Sequence, residues 1–172
     1  MSPPLSEELA RKAKGIKLFV LDVDGVLTDG RIIVNDEGVE SKNFNVRDGM
    51  ALAIARRKGF HLAIISGRFS RVVEHRANEL GIKDVHQGVS DKLAVFNEVL
   101  KKLGIPAEEA SFIGDDINDL PPMEACGFSA APSDADEKVK ATAGYVCSKP
   151  GGNGAVRELI EVVLSAQHKW GL

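Results

Sequence analysis

A chain of 172 residues, 44% hydrophobic and 27% charged, is long enough to bury one sizeable core and too apolar to remain disordered. Its net charge of -3 offers no basic footprint for nucleic acid, so an anionic substrate must meet a local cluster of Arg and Lys. Cys126 and Cys147, the two cysteines, are too few for a disulfide framework and suit a reducing, cytoplasmic setting, while no stretch has the apolar length of a membrane span.

Residues 1–14 read as a charged extension without the apolar centre of a signal peptide, with a short surface helix starting near Ser6. A continuous apolar run over 16–21 reads as a strand buried on both faces. It ends in Asp22, and after one residue come Asp24 and Gly25. Residues 29–44 then predict a β-hairpin flap, with apolar Ile32, Ile33, Val34 and Val39 around the turn at Asp36-Glu37-Gly38. A helix is expected from Asp48 to Gly59 and a strand over 61–65, which runs into Ser66-Gly67-Arg68. Next come a helix from about 69 to 80, a short strand near 84–86, and a helix opening at Asp91-Lys92. A strand over 110–113 stops at Gly114-Asp115-Asp116, with Asp119 close behind. Two further short strand–helix passages and a glycine loop at 151–154 lead to an amphipathic last helix, 155–167. Alternating strands and helices predict an α/β fold: a three-layer, Rossmann-like parallel sheet with helices on both faces, in one domain spanning 1–172.

The chemistry gathers at four strand ends: Asp22 with Asp24, Ser66, Lys92, and Asp115 with Asp116 and Asp119. In a parallel sheet these ends share one edge, where ligands bind. Acids with few His or Cys neighbours favour a hard cation, Mg²⁺ above all, accompanied by a phosphate. Such a cation would let Asp22 attack phosphorus while Asp24 carries the proton and Ser66 and Lys92 bind the phosphoryl oxygens. Each residue alone has a plainer reading: Ser66 as a helix cap, Lys92 as a solvated helix residue, one of the later acids as a cap. A calcium loop does not fit Asp22 and Asp24, because Ile33 stands where its bidentate Glu belongs. The set in this order is far more specific than its members.

Asp22-Val-Asp24-Gly25-Val-Leu-Thr28, Ser66, Lys92 and Gly114-Asp115-Asp116 resemble the four motifs of the haloacid dehalogenase-like phosphohydrolases, over nearly the whole chain. The longer strings DVDGVLTDG, NVRDGM, IISGR, GDDINDLP and GGNGAVREL are similar to capless members that dephosphorylate an eight-carbon ulosonic acid in lipopolysaccharide synthesis. The resemblance implies an aspartyl-phosphate on Asp22, general acid/base work by Asp24, and Mg²⁺ bound by Asp22, the main-chain carbonyl of Asp24, and Asp115. Asp116 and Asp119 would support the metal from behind. Asn45, Val46, Arg47, Asp48 and Gly49, together with Asp24, Arg68, Arg76 and Lys92, would contact a small sugar acid phosphate. The resemblance also implies a homotetramer built through the hairpin, with the C-terminal segment near a neighbouring active site. The short gaps between motifs leave no room for a cap domain, so a second subunit is the expected lid.

Two positions depart from the pattern. Asn153 stands within Gly-Gly-Asn-Gly where many such phosphatases have Gly-Gly-Arg-Gly, and Ala53 replaces a basic residue. Both bring in a nine-carbon, sialic-acid-type 9-phosphate as rival substrate. A receiver-like signalling domain would need its phosphorylated Asp after the third strand, where Val85-His86-Gln87-Gly88 offers none. A silent oligomerisation module would have no reason to keep Asp22, Asp24, Lys92 and Asp115.

Overall fold

The computed structural model describes residues 5–171. The first four residues of the expected N-terminal extension, and Leu172, lie outside the described residues. Six parallel strands form the main sheet: β1 (Leu18–Leu21), β4 (His61–Ile65), β5 (Asp84–His86), β6 (Ala110–Ile113), β7 (Phe128–Ala131) and β8 (Tyr145–Val146), in the order β5-β4-β1-β6-β7-β8. β1 is central, and all four of its residues are buried. Its side chains alternate, Phe19 and Leu21 entering one core, Leu18 and Val20 the other, as the two-residue period of a strand demands.

The first core is covered by α1 (Glu7–Gly15), α2 (Val46–Arg57), α3 (Arg71–Leu80) and α7 (Ala155–Ala166), through residues such as Leu52, Val73 and Leu159. The second is covered by α4 (Lys92–Leu103), α5 (Leu120–Ala125) and α6 (Glu137–Thr142), through Phe96, Met123 and Val139. This is the three-layer α/β arrangement that the strand–helix alternation implies. Among the described residues no helix is long and apolar enough to cross a membrane.

Register sets the site. Leu21 lies opposite Ile64 of β4 and Ile113 of β6, so Asp22, Ser66 and Asp115 follow at the same carboxyl edge. The predicted hairpin is present but shorter than expected: β2 (Ile33–Val34) pairs antiparallel with β3 (Glu40–Ser41). Ile32, Val34 and Val39 are 63%, 59% and 56% exposed, so they do not cover their own sheet.

Two helix starts differ from the sequence reading. α2 begins at Val46, not Asp48, because the Asn45 side chain accepts the Arg47 N–H at 2.8 Å and caps it. α3 begins at Arg71 with Ser70 at its N-cap, so Ser66 is no helix cap.

Candidate active site

Asp22 emerges from β1 with only 6% of its surface exposed. Its Oδ1 accepts the Val23 N–H at 2.7 Å, and its Oδ2 lies 3.1 Å from Lys92 Nζ. Lys92 is the first residue of α4, whose N-cap Asp91 accepts the Ala94 N–H at 3.0 Å. The cap sets the helix so that the Lys92 side chain enters the carboxyl edge, almost wholly buried, and reaches Asp119 Oδ1 at 2.6 Å. The other oxygen of Asp119 accepts the N–H groups of Asp115 and Asp116 at 3.0 and 3.3 Å. Asp116 in turn accepts the Ile117 N–H at 2.7 Å, capping the single turn over 117–119.

Asp116 and Asp119 therefore shape the loop, and Asp115 is left to face the cavity. Its Oδ1 is buried without a hydrogen-bond partner, an expensive condition for a carboxylate unless a cation meets it. Oxygens of Asp22, Asp115 and Asp119 lie within 4.8 Å of one another. Asp119 is fully buried and already spends its oxygens on Lys92 and the loop. Asp22 and Asp115 remain as ligands, and an all-oxygen donor set suits a hard divalent cation.

The electrostatics agree. Burial first, then the neighbouring Asp119, holds the Asp22 carboxyl well above the usual carboxylate range, against the pull of Lys92. Burial, followed by Asp119 and Asp116, pushes Asp115 up to about 7. Burial pulls the Lys92 ammonium down, but Asp22 and Asp119 outweigh it and leave its pKa raised. One lysine does not offset this many acids.

Glycines permit the crowding. A Cβ on Gly25, whose φ is +87°, would fall 1.9 Å from Asp115 Oδ2, and one on Gly151 would fall 1.8 Å from the Gly25 carbonyl oxygen. Only bare backbone lets the 151–154 loop press the acid-bearing turn toward Asp115.

Asp24 sits beside this cluster, between two cations. Lys42 Nζ is 2.5 Å from its Oδ1 and Arg68 Nη1 is 3.5 Å from its Oδ2. Glu40 holds both cations from the far side, at 3.3 Å from Lys42 and 3.0 Å from Arg68. Asp22, Asp24, Ser66, Arg68, Lys92, Asp115 and Asp116 line one cavity of about 250 Å³, together with Asn118. Lys42 and Asn118 escaped the sequence reading. A lysine among polar hairpin residues looks solvated, and only its place just past β3, close to Asp24 and Glu40 once the chain folds, could have singled it out.

The remaining expected contacts lie elsewhere. Asn45, Val46 and Arg47 line a separate groove of about 930 Å³ with Lys149, Asn153 and Arg157. Arg76 sits 5.8 Å over the Phe44 ring and pairs with Glu79 at 2.7 Å, and its guanidinium lies where a Cβ on Gly49 would be. Asp48 is turned inward as a structural group. Its carboxylate accepts the Arg157 N–H at 2.8 Å and the Gly154 N–H at 3.3 Å, capping α7 from α2. The C-terminal segment also folds onto its own chain. Gln167 Nε2 donates to the carbonyls of Ala13 and Ile16 at 2.9 and 2.8 Å, and Trp170 lies 5.2 Å beneath the Arg157 guanidinium.

A carboxylate nucleophile candidate, a buried lysine and a cation-seeking acid at one sheet edge define a class, and the family model for haloacid dehalogenase-like hydrolases matches residues 36–127. The chain belongs to that family. Within it, the chain is 45% identical over 166 residues to the 3-deoxy-D-manno-octulosonate 8-phosphate phosphatase of Escherichia coli, covering 96% of this chain and 88% of that protein. The crystal structure of the Yersinia pestis phosphatase of the same name superposes with a TM-score of 0.96 at 41% identity, covering 98% of this chain and 91% of that one. The Moraxella catarrhalis phosphatase, solved with magnesium, phosphate and KDO, gives 0.92 at 47% identity, covering 94% and 92% of the two chains.

Proposed function

We propose that this chain is a Mg²⁺-dependent phosphomonoesterase that hydrolyses 3-deoxy-D-manno-octulosonate 8-phosphate to KDO and phosphate. The observation that carries the reading is Asp22 at the end of β1, 3.1 Å from the buried Lys92, in one cavity with Asp24, Ser66 and Asp115. The relatives above, at 45% and 47% identity, supply the substrate.

In this reading a carboxylate oxygen of Asp22 attacks phosphorus and forms an aspartyl-phosphate as the bond to the sugar oxygen breaks. Asp24 gives its proton to that oxygen, then takes one from the water that attacks the aspartyl-phosphate and releases phosphate. Lys92 and Ser66 hold the non-bridging oxygens, where charge must be stabilised. Asp22, Asp115 and the main-chain carbonyl of Asp24 would hold Mg²⁺, which would supply the positive charge that offsets repulsion between the Asp22 carboxylate and an anionic phosphate. Asp119 keeps Lys92 and the Asp115 backbone in place. Arg68, held by Glu40 through one nitrogen and half exposed, keeps further N–H donors for the sugar acid.

The other expected contacts fit a second subunit. Asn45, Arg47 and Arg76 belong to surfaces apart from the phosphate cavity, so they would act on the sugar held by a neighbouring chain. The exposed apolar hairpin is a fitting joint for such a homotetramer. The tail contacts its own subunit through Gln167 and Trp170, and the C-terminal segment would still border a neighbouring active site, with the hairpin and the start of α2 completing the lid. Asn153 lowers the charge expected of its loop, while Arg47, Lys149 and Arg157 share its groove with Glu158 and Glu161; the relatives' substrate favours the eight-carbon acid over the nine-carbon rival.

Phosphate release from a panel of sugar phosphates, with and without Mg²⁺, tests the assignment. KDO 8-phosphate should be turned over only with the metal, ahead of nine-carbon acid 9-phosphates and of hexose phosphates. Preference for a hexose phosphate, or metal-independent turnover, would refute it.

A further inference from the structure

We infer that Lys42, carried on the hairpin, is a positioning residue that holds Oδ1 of the Asp24 carboxyl and so turns Oδ2, the oxygen that carries the proton, toward the departing sugar oxygen. The inference rests on the acid/base reading of Asp24 given above. The Lys42 side chain is 1% exposed and its ammonium is shared between Asp24 Oδ1 at 2.5 Å and Glu40 Oε1 at 3.3 Å. A lysine is buried to this degree only when its charge is paired. Lys42 comes from a hairpin with two residue pairs and an outward-facing apolar set, so its burial is not a by-product of core packing.

The two acids of the first loop thus have separate lysines. Asp22 is fixed by Lys92 from α4, and Asp24 by Lys42 just beyond β3. The need differs between them. Asp22 also accepts a backbone N–H and is nearly enclosed, whereas the Asp24 side chain is 23% exposed and precedes Gly25. Without Lys42 the strongest remaining attraction on Asp24 is Arg68, 3.5 Å from its other oxygen. The carboxyl group would swing toward that guanidinium, which is itself half exposed, and away from the leaving group. Glu40 keeps the arrangement from collapsing by tethering Lys42 and Arg68 at once. The hairpin therefore does more than occlude the site; it delivers the cation that sets the direction of the proton donor.

A leaving-group comparison separates this role from simple anchoring of the hairpin. The single-turnover rate of enzyme phosphorylation is measured with saturating Mg²⁺ on KDO 8-phosphate, whose alkoxide needs a proton, and on 4-nitrophenyl phosphate, whose phenolate does not. Lys42→Met should slow the sugar substrate about 100-fold, the scale of general acid catalysis, and the aryl substrate by less than about threefold. The KM for the sugar should stay within about threefold. Lys42→Arg should keep between about a tenth and about a half of the sugar rate, with the loss confined to that substrate; it carries the test if Lys42→Met does not fold. Equal losses on both substrates in the folded variants, or no loss on either, overturn the inference. Asp24→Asn is run alongside. If it discriminates between the substrates and the Lys42 variants do not, the positioning role alone falls. If Asp24→Asn does not discriminate, the acid role of Asp24 falls with it.

Discussion

At the scale of single residues, the site is an excess of buried acid around too little positive charge. Asp115 shows it most directly. Its carboxyl sits at about 7 against an ordinary 3.8, through burial first and then Asp119 and Asp116. In metal-free protein the folded state therefore keeps a proton that the unfolded chain gives up between those values, so this group's stabilising contribution is complete below pH 3.8 and is lost as pH rises through about 7. Asp22, raised by burial and Asp119, adds to the same trend. A divalent cation competes with these protons, so Mg²⁺ affinity should climb across neutrality. Calorimetry from about pH 5 to pH 8 should show the melting midpoint falling without metal and a Mg²⁺-induced increase that grows with pH. A metal-free midpoint that rises across the interval would contradict this account. The acids were legible in the sequence because each follows an apolar strand, where burial of charge demands a reason. Lys42 was not, since its burial arises from the hairpin folding back on the Asp24 loop.

At the scale of elements, the site depends on contacts between segments far apart in sequence. Asp48 of α2 caps α7 through the N–H groups of Gly154 and Arg157, and the glycine loop before α7 rests on Gly25. Glu158 braces the same loop: its carboxylate accepts the Tyr145 hydroxyl at 2.8 Å and the Ser148 N–H and hydroxyl at 2.9 and 2.7 Å. Asp48→Ala should lower stability by about 1 kcal/mol, the usual scale for a lost cap, because the two freed N–H groups are only partly buried. Chemical denaturation measures it, and an unchanged midpoint would contradict the capping role. The strands and most helices were readable from periodicity and from glycine at helix ends. Asp48 was not readable, because an acid in the first turn of a helix usually serves that same helix; here it serves another one, more than 100 residues on.

At the scale of the whole molecule, the sheet gathers a phosphate site on one edge while the cations suited to a sugar acid are divided between that edge and the groove beside α7. The hairpin turns Lys42 inward to Asp24 and leaves Ile32, Val34 and Val39 exposed on its outer face. The fold class was legible from strand–helix alternation alone; the division of the cations was not, because it depends on how α2 and α3 lie over the sheet. Covalent chemistry at Asp22 is the claim on which everything else depends. Acid quenching of the enzyme during turnover of KDO 8-phosphate with Mg²⁺, followed by peptide mass spectrometry, should find the phosphoryl group on Asp22 and none in Asp22→Asn, which should also be inactive though folded. Phosphate on another residue, or turnover by Asp22→Asn at the wild-type rate, would contradict it.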